Sequence, residues 1–562
     1  MAEERLRVSF LTGEGIKEVQ APLKEGARYQ DLAEAYGSQL QGQVTLALVD
    51  NQLHELADKV GEGVRDLVLL DTVNTDGYRT YMRSLSFVFL AAARRVLPKL
   101  RLLVEHSISG GTYCTLRRGE EIISPDSRTR DRIRAQMEAM IRDDLPIKKE
   151  VLSLAEARLL FKDLDRQDKL DLLNWREEKT LSTYQLGEDW DHFFGYMVPS
   201  TGYLTSFGLE IFNQGLVLMG PVRDQRGQVR NFRPQHKLSV AYNEVERGTR
   251  LQGISHVDQL NRAIEKGQVG EISRVTEALQ DYKIMKIAED IKASNRRFIF
   301  ISAPSSSGKT SFSYKLRTSL KVLGLRPVTL SLDDYYVNRE DTPLNEAGDY
   351  DFEALEAIEL ARLNQDLTKL LRGEAIERIR FDFVEGLRVH TGRYIQLKGD
   401  DPVIIEGTHA LNPRLTDLLD PAYIYRIYLS VISQVHLDDH NRIPTTDIRL
   451  MRRMARDKAS RGKSIRQTLR EWGSVRAGEK KYIFPYQERA DVVFNASFPY
   501  EISAIKPIIL EDLEAIGPQE EVYIQAQRLR GLLQYFKPLE DHSDIPGTSI
   551  LREFIGGSKI AP

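Results

Sequence analysis

The sequence predicts a multidomain protein that joins an α+β front half to an α/β unit with a mostly parallel sheet. Three observations carry this reading. The 562 residues exceed one ordinary domain and suggest roughly three or four. Nearly continuous apolar runs at 298–302, 328–332, 403–405, 425–431 and 492–494 alternate with helical stretches, as in a parallel sheet covered on both faces. Ahead of residue 250 that alternation gives way to hairpin signals and longer helices.

In chain order, residues 6–10 and 18–21 alternate apolar and polar positions around Thr12-Gly13-Glu14-Gly15, which predicts a hairpin. A helix at 29–36 and a strand at 44–49 follow, so 1–66 read as a small α+β module. From 67 to 254 come a long helix (81–97), a strand (100–104), the turn Ser109-Gly110-Gly111, helical runs at 127–141 and 153–172, and a loop at 195–202. Residues 255–293 are charged, free of proline and helical in period, and predict a connector. The α/β unit takes 294–500, and a mostly helical extension, clearest at 522–536, takes 501–562.

Composition excludes several classes. Lys and Arg number 79 against 82 Asp and Glu, a net charge of −3. That balance argues against a surface coated in positive charge for nonspecific nucleic-acid binding, though a local basic patch stays open. The single cysteine, Cys114, leaves no internal disulfide or cysteine-rich zinc module and reads as a buried small apolar residue. The charged N-terminus has no signal-peptide core, and the most apolar stretch, 85–93, is far shorter than the roughly 20 residues of a membrane helix. The expectation is a cytoplasmic protein without membrane contact.

The strand at 298–302 runs into Ala303-Pro304-Ser305-Ser306-Ser307-Gly308-Lys309-Thr310, then Ser311 and a helical segment. Strand, loop and helix together make a phosphate-binding loop, with Ala303 where the first glycine is usual. Backbone amides and the helix N-terminus present positive charge to phosphates. Lys309 adds a full charge, and the Thr310 hydroxyl is a candidate Mg²⁺ ligand. No Asn-Lys-x-Asp guanine motif occurs, which disfavours a GTPase.

The second strand ends in Leu332-Asp333-Asp334-Tyr335-Tyr336. Carboxylates at the C-terminal ends of such strands face the ligand crevice, so Asp333 is a candidate general base for an acceptor hydroxyl. The competing reading has Asp333 and Asp334 capping a turn. The third strand ends in Glu406-Gly407, an acidic position suited to Mg²⁺.

These residues, with Asp351, the Phe381-Asp382-Phe383 run and an arginine-rich segment, resemble the uridine kinase and phosphoribulokinase family over about 295–500. The resemblance implies that Asp333 takes the proton of the sugar hydroxyl, that Tyr336 and Asp351 hold the acceptor, and that Glu406 is metal-associated. Phe381 and Arg388 belong to the same acceptor segment. The family's pyrimidine nucleoside kinases carry Tyr and His where this chain has Phe381 and Gly386, so the resemblance does not name the base. Arg449, Arg452, Arg453 and Arg456 share one helical face by spacing. They resemble the family's lid, whose arginines close on the transferring phosphoryl; a solvated face or an RNA-binding stripe are the other readings.

Residues 6–65 resemble the TGS module, a β-grasp fold, and 70–250 resemble the second additional domain of threonyl-tRNA synthetases, most clearly at Val198-Pro199-Ser200-Thr201-Gly202. That resemblance implies a hydrolytic site of three His and one Cys, but the four positions fall here on Arg83, Phe87, Phe193 and Met197, none of them an ordinary zinc ligand. The front half therefore reads as a retained scaffold that is regulatory, RNA-contacting or oligomer-building. The leading function is an ATP- and Mg²⁺-dependent P-loop kinase of a nucleoside 5′-hydroxyl. The alternatives are a sugar-phosphate kinase of the phosphoribulokinase type, with Arg380 or Arg388 binding the acceptor phosphate, and an RNA-binding regulator that senses nucleotide.

Overall fold

Strands apolar on both faces can lie only inside a covered sheet, and the C-terminal half assembles around five of them. The computed structural model describes residues 5–22, 25–344, 348, 350–351, 354–382, 385–416 and 419–560. In it, β1 (Phe298–Ser302), β2 (Val328–Ser331), β3 (Val403–Glu406), β4 (Ile424–Ser430) and β5 (Val492–Asn495) form one sheet in the order β2-β3-β1-β4-β5. Every pairing is parallel. Ile301 and Ser331 both stand opposite Glu406, so β1, β2 and β3 end level with one another.

Side chains alternate across the strands. Phe298 and Phe300 pack with Leu363, Leu367 and Leu370 of the helix Leu360–Leu371 on one face. Ile299 and Ile301 meet Phe312, Leu316 and Leu320 of α1 (Lys309–Val322) on the other. The same core takes in α2 (Thr445–Ser460) through Ile448, Met451 and Ala455, and α4 (Glu501–Glu514) through Ile505 and Ile509. Between them, α3 (Ile465–Tyr482) contributes Leu469 and Trp472.

Two expectations need correction. The stretch 255–293 is not a free connector: the helix Val269–Ala293 places Ile284, Ile287, Ala288 and Ile291 in the core shared with α1, so it is a covering layer of the α/β unit. The first module does not close at residue 66. Its sheet runs Gly15–Pro22, Arg5–Thr12, Asp66–Asp71, Val44–Val49, Gln52–Glu55, with Arg5–Thr12 parallel to Asp66–Asp71. The boundary falls after Asp71.

The second region begins with the helix Thr75–Val96, capped by Asn74, whose side chain accepts from the Asp76 and Gly77 amides. It covers a sheet ordered Gly208–Phe212, Gly215–Met219, Gly111–Arg118, Arg101–Ile108. Ser109 and Gly110 turn between the last two strands with φ of 54° and 77°, the double positive φ of a tight hairpin. Cys114 is buried on that sheet. The expected helix at 153–172 is two helices, Leu154–Asp163 and Gln167–Leu173, broken where Asp165 turns to φ 52°. No helix among the described residues is long and apolar enough to cross a membrane.

A buried polar network ties this region to the α/β unit. Lys169 Nζ lies 2.8 Å from Asp191 and 3.0 Å from Asp438, and Asn441 Nδ2 donates to the His192 carbonyl at 2.9 Å. His436 sits at the same junction, its amide donating to Ser255 O at 3.0 Å. Burial, helped by His256, pushes the His436 imidazole down to about 4. The native state therefore stays unprotonated while the unfolded chain takes up a proton near pH 6.5. Its contribution is full above pH 6.5 and is lost as pH falls toward 4. Urea unfolding of wild type and His436→Gln across that window is expected to differ in slope by about 1.4 kcal/mol per pH unit; parallel slopes would contradict the assignment.

Candidate active site

The loop 303–308 leaves β1 at the level where β2 and β3 end. Ser306 (φ 60°) and Gly308 (φ 80°) carry positive φ values that turn the chain into α1, a strained conformation that elsewhere marks functional loops. Gly308 caps the helix, leaving its first amides directed at the crevice. The Ser306 and Ser307 hydroxyls are buried and lack a hydrogen-bond partner among the described residues, which suits a loop shaped to receive phosphate oxygens. Thr310 is exposed at the helix start.

Lys309 Nζ stands 3.8 Å from Glu406 Oε2, an ion-pair contact too long for a hydrogen bond. That oxygen is buried without a hydrogen-bond partner among the described residues. Burial raises the Glu406 carboxyl above the usual range; Lys309 opposes this, while Asp333, Glu553 and Asp334 add to it. A buried orphan carboxylate oxygen and an exposed threonine hydroxyl are both oxygen donors of the kind a divalent cation takes, so Thr310 and Glu406 are chemically suited to hold Mg²⁺. Gly407 is required here: a Cβ would lie 2.5 Å from Leu332 Cβ.

Asp333 is half-buried in the short 3₁₀ turn Leu332–Tyr335, its amide donating to Ser331 Oγ at 3.3 Å. Asp334 points elsewhere and accepts the Phe381 amide at 3.4 Å, and the cap of the turn is Ser331 rather than either aspartate. Tyr336 meets the Phe381 ring edge to face at 5.6 Å. Phe381 lies on a hairpin of Ile376–Asp382 and Leu387–Ile395 that stands off the sheet. Arg388 donates to the Tyr336 carbonyl at 3.0 Å and pairs with Glu359 at 2.5 Å. Asp351 is held by its amide to Pro343 O at 2.7 Å. Phe383 lies outside the described residues.

Gly386 has φ 71°, and a Cβ there would meet the Arg339 side chain at 2.7 Å. A bulky residue is thus excluded where the resembled kinases carry histidine.

The four arginines of α2 do not act as one face. Arg449 forms a two-pronged pair with Glu479 and donates to the Ser305 carbonyl at 3.1 Å. Glu479 in turn accepts the Ser305 amide at 3.0 Å. Burial works to raise the Glu479 carboxyl, and Arg449 and Arg476 overcome it, leaving it below the usual range. Arg453 donates to Ser305 Oγ at 2.8 Å. Arg456 donates to Asp457 at 3.0 Å.

Arg452 is fully buried, donating to Glu501 at 2.6 Å and to Ala496 O at 2.8 Å. The expectation that Arg449 and Arg452 contact the acceptor is therefore corrected: both are consumed in buried ion pairs. The segment is also no hinged lid in this structure. Ile448, Leu450, Met451, Met454 and Ala455 hold α2 in the core as a wall beside the phosphate loop. Sequence reasoning missed Glu479, which lies 30 positions from Arg449 and carries no local signal.

In the front half, Phe87 and Phe193 pack ring against ring at 5.3 Å, Ser84 Oγ lies 3.4 Å from Met197 Sδ, and Arg83 donates to Tyr196 O at 2.7 Å. Apolar core thus fills three of the four positions that carry the zinc ligands in the resembled synthetases. A cavity of about 650 Å³ beside them is lined by Arg79, Arg83, Lys149, Tyr196 and Arg528.

Residues 298–502 match the Phosphoribulokinase / Uridine kinase family. The uridine kinase of Bacillus pumilus is 29% identical over 197 residues, 35% of this chain and 84% of that protein. The uridine kinase of Saccharomyces cerevisiae is 30% identical over 199 residues, 35% of this chain and 36% of that protein. The N-terminal region is similar to threonine–tRNA ligase, 30% identical to that of Carboxydothermus hydrogenoformans over 180 residues, 32% of this chain. The chain spans 28% of the length of that ligase. A uridine kinase-like segment thus follows a synthetase-like one.

Proposed function

We propose that the chain is an ATP-dependent kinase that transfers the γ-phosphoryl group to the 5′-hydroxyl of a nucleoside. One observation carries the reading: Lys309 pairs with Glu406 at the end of β3, and Asp333, just past the level end of β2, acts on the same carboxyl, all within the family-matched segment. The loop amides of 303–308, the Ser306 and Ser307 hydroxyls and the start of α1 receive the phosphates. Asp333 accepts the proton of the sugar hydroxyl as its oxygen bonds to the γ-phosphorus and the β–γ bridging bond breaks. Lys309 and Arg453, the latter already at Ser305, neutralise charge on the transferring group. Thr310 and Glu406 would hold Mg²⁺, which when bound would further neutralise the phosphate oxygens.

The Tyr336–Phe381 corner offers an aromatic wall for the acceptor. The pairing of Arg388 with Glu359 removes one candidate anchor for an acceptor phosphate, and this supports a nucleoside over a sugar phosphate. The front half serves as a scaffold without hydrolytic zinc chemistry, and its likeness to the ligase makes RNA its natural contact. The test is ADP release from ATP and Mg²⁺ over a panel of ribo- and deoxyribonucleosides with ribulose 5-phosphate included. Turnover with a nucleoside is expected. Turnover with the sugar phosphate alone would overturn the acceptor, and silence with ATP bound would overturn the kinase reading in favour of an RNA-linked nucleotide sensor.

A further inference from the structure

The C-terminal extension lies outside the family-matched segment, yet its end packs on the phosphate loop. α5 (Arg552–Ile555) is one turn of helix. Ahead of it, Ile550 and Leu551 are fully buried, as is Phe554 within it. Ile550 presses on Gly308 so closely that a Cβ at Gly308 would come within 2.3 Å of its Cγ2. The Arg452 guanidinium lies 4.7 Å from the Phe554 ring centroid. Arg552 anchors the base of the turn by donating to His542 O at 2.6 Å and Ile545 O at 2.7 Å.

The decisive contact is Glu553. Its Oε2 accepts the Ser311 hydroxyl at 2.7 Å and the Ser311 amide at 3.4 Å. Ser311 is the third residue of α1, so that amide is one of the unpaired N–H groups at the helix start. Those groups are what a phosphate-binding loop offers its ligand. A carboxylate accepting from the amide and the hydroxyl together satisfies them as a phosphate oxygen would. Two anions cannot share one donor pair at this distance without strong repulsion, and Ile550 fills the space against the loop glycine.

We infer that residues 549–555 are an autoinhibitory plug, in which Glu553 takes a phosphate seat and ATP binds only by displacing it. This rests on the reading of residues 303–311 as the ATP site. The apolar anchors Ile550, Leu551 and Phe554 hold the plug, and the carboxylate aims it. The plug makes the kinase latent: its apparent ATP affinity is lowered by the fraction of molecules in which the seat is filled.

The test uses the full chain. ATP affinity is measured for wild type, Glu553→Gln and Phe554→Ala, with hydrogen exchange of residues 545–560 followed in the absence and presence of saturating ATP. Losing the charge-assisted bonds to Ser311 is expected to tighten ATP binding about tenfold in Glu553→Gln. Phe554→Ala, which loosens the seat without touching Ser311, is expected to tighten it as well. In wild type, ATP is expected to raise exchange across 545–560. Equal ATP affinity in all three proteins, with 545–560 equally protected when ATP is bound, would overturn the plug while leaving the ATP site intact. A failure of all three to bind ATP would overturn the ATP site itself and the plug with it.

Discussion

Asp333→Asn is expected to lower kcat by about 10²- to 10⁴-fold, the range general-base catalysis supplies, while ATP affinity stays within about twofold. The split follows from position. Asp333 sits at the end of β2 in the turn Leu332–Tyr335, across from Glu406, whose carboxyl it pushes upward. Phosphate binding rests on the separate loop 303–308 and α1. Amide for carboxylate keeps the size and the turn but removes the proton acceptor. Steady-state kinetics with ATP binding measured in parallel decides the matter. Normal turnover would remove Asp333 from the chemistry, and joint loss of binding and turnover would make it a ligand to the phosphates.

The second large effect is on stability. Lys169 is buried between Asp191 and Asp438, with 1% or less of each side chain exposed. Burial works to lower the Lys169 ammonium, and the two aspartates overcome it, so it stays charged. Removing one partner of a buried ion pair strands the others, at a cost of about 3–5 kcal/mol. Lys169→Ala is therefore expected to destabilise the chain by about that amount, seen as an earlier midpoint in urea. Asp438→Asn added to Lys169→Ala is expected to recover part of the loss, because it removes one stranded charge. A change below about 1 kcal/mol would mean that these buried pairs add little net stability to the junction.

The five parallel strands were legible because burial on both faces writes a continuous apolar run, and the phosphate loop because strand, glycine, lysine and helix follow one another locally. Asp333 and Glu406 were legible for the same reason: each ends such a strand. The arginines of α2 were not. Spacing told which side chains share a helical face, but the partners Glu479 and Glu501 lie 30 and 49 positions away, and burial turned two expected substrate contacts into structural ion pairs. The plug is still less legible, since Ser311 and Glu553 are separated by 242 positions and Glu553 sits in one helical turn without periodicity. The helix Val269–Ala293 looked like a connector because its charged face dominates the composition. Its isoleucines at 284, 287 and 291, on a helical period, were the available sign of a buried face.

Phosphoryl transfer to a nucleoside hydroxyl is proposed to occur at the ends of β1, β2 and β3. The most direct measurement follows the γ-phosphoryl group of labelled ATP in the presence of Mg²⁺ and the nucleoside panel, with the product identified by mass. Label is expected in a nucleoside 5′-monophosphate and is expected to be lost in Asp333→Asn. Label that stays in ATP, or passes only to inorganic phosphate with every nucleoside present, would contradict the proposed transfer.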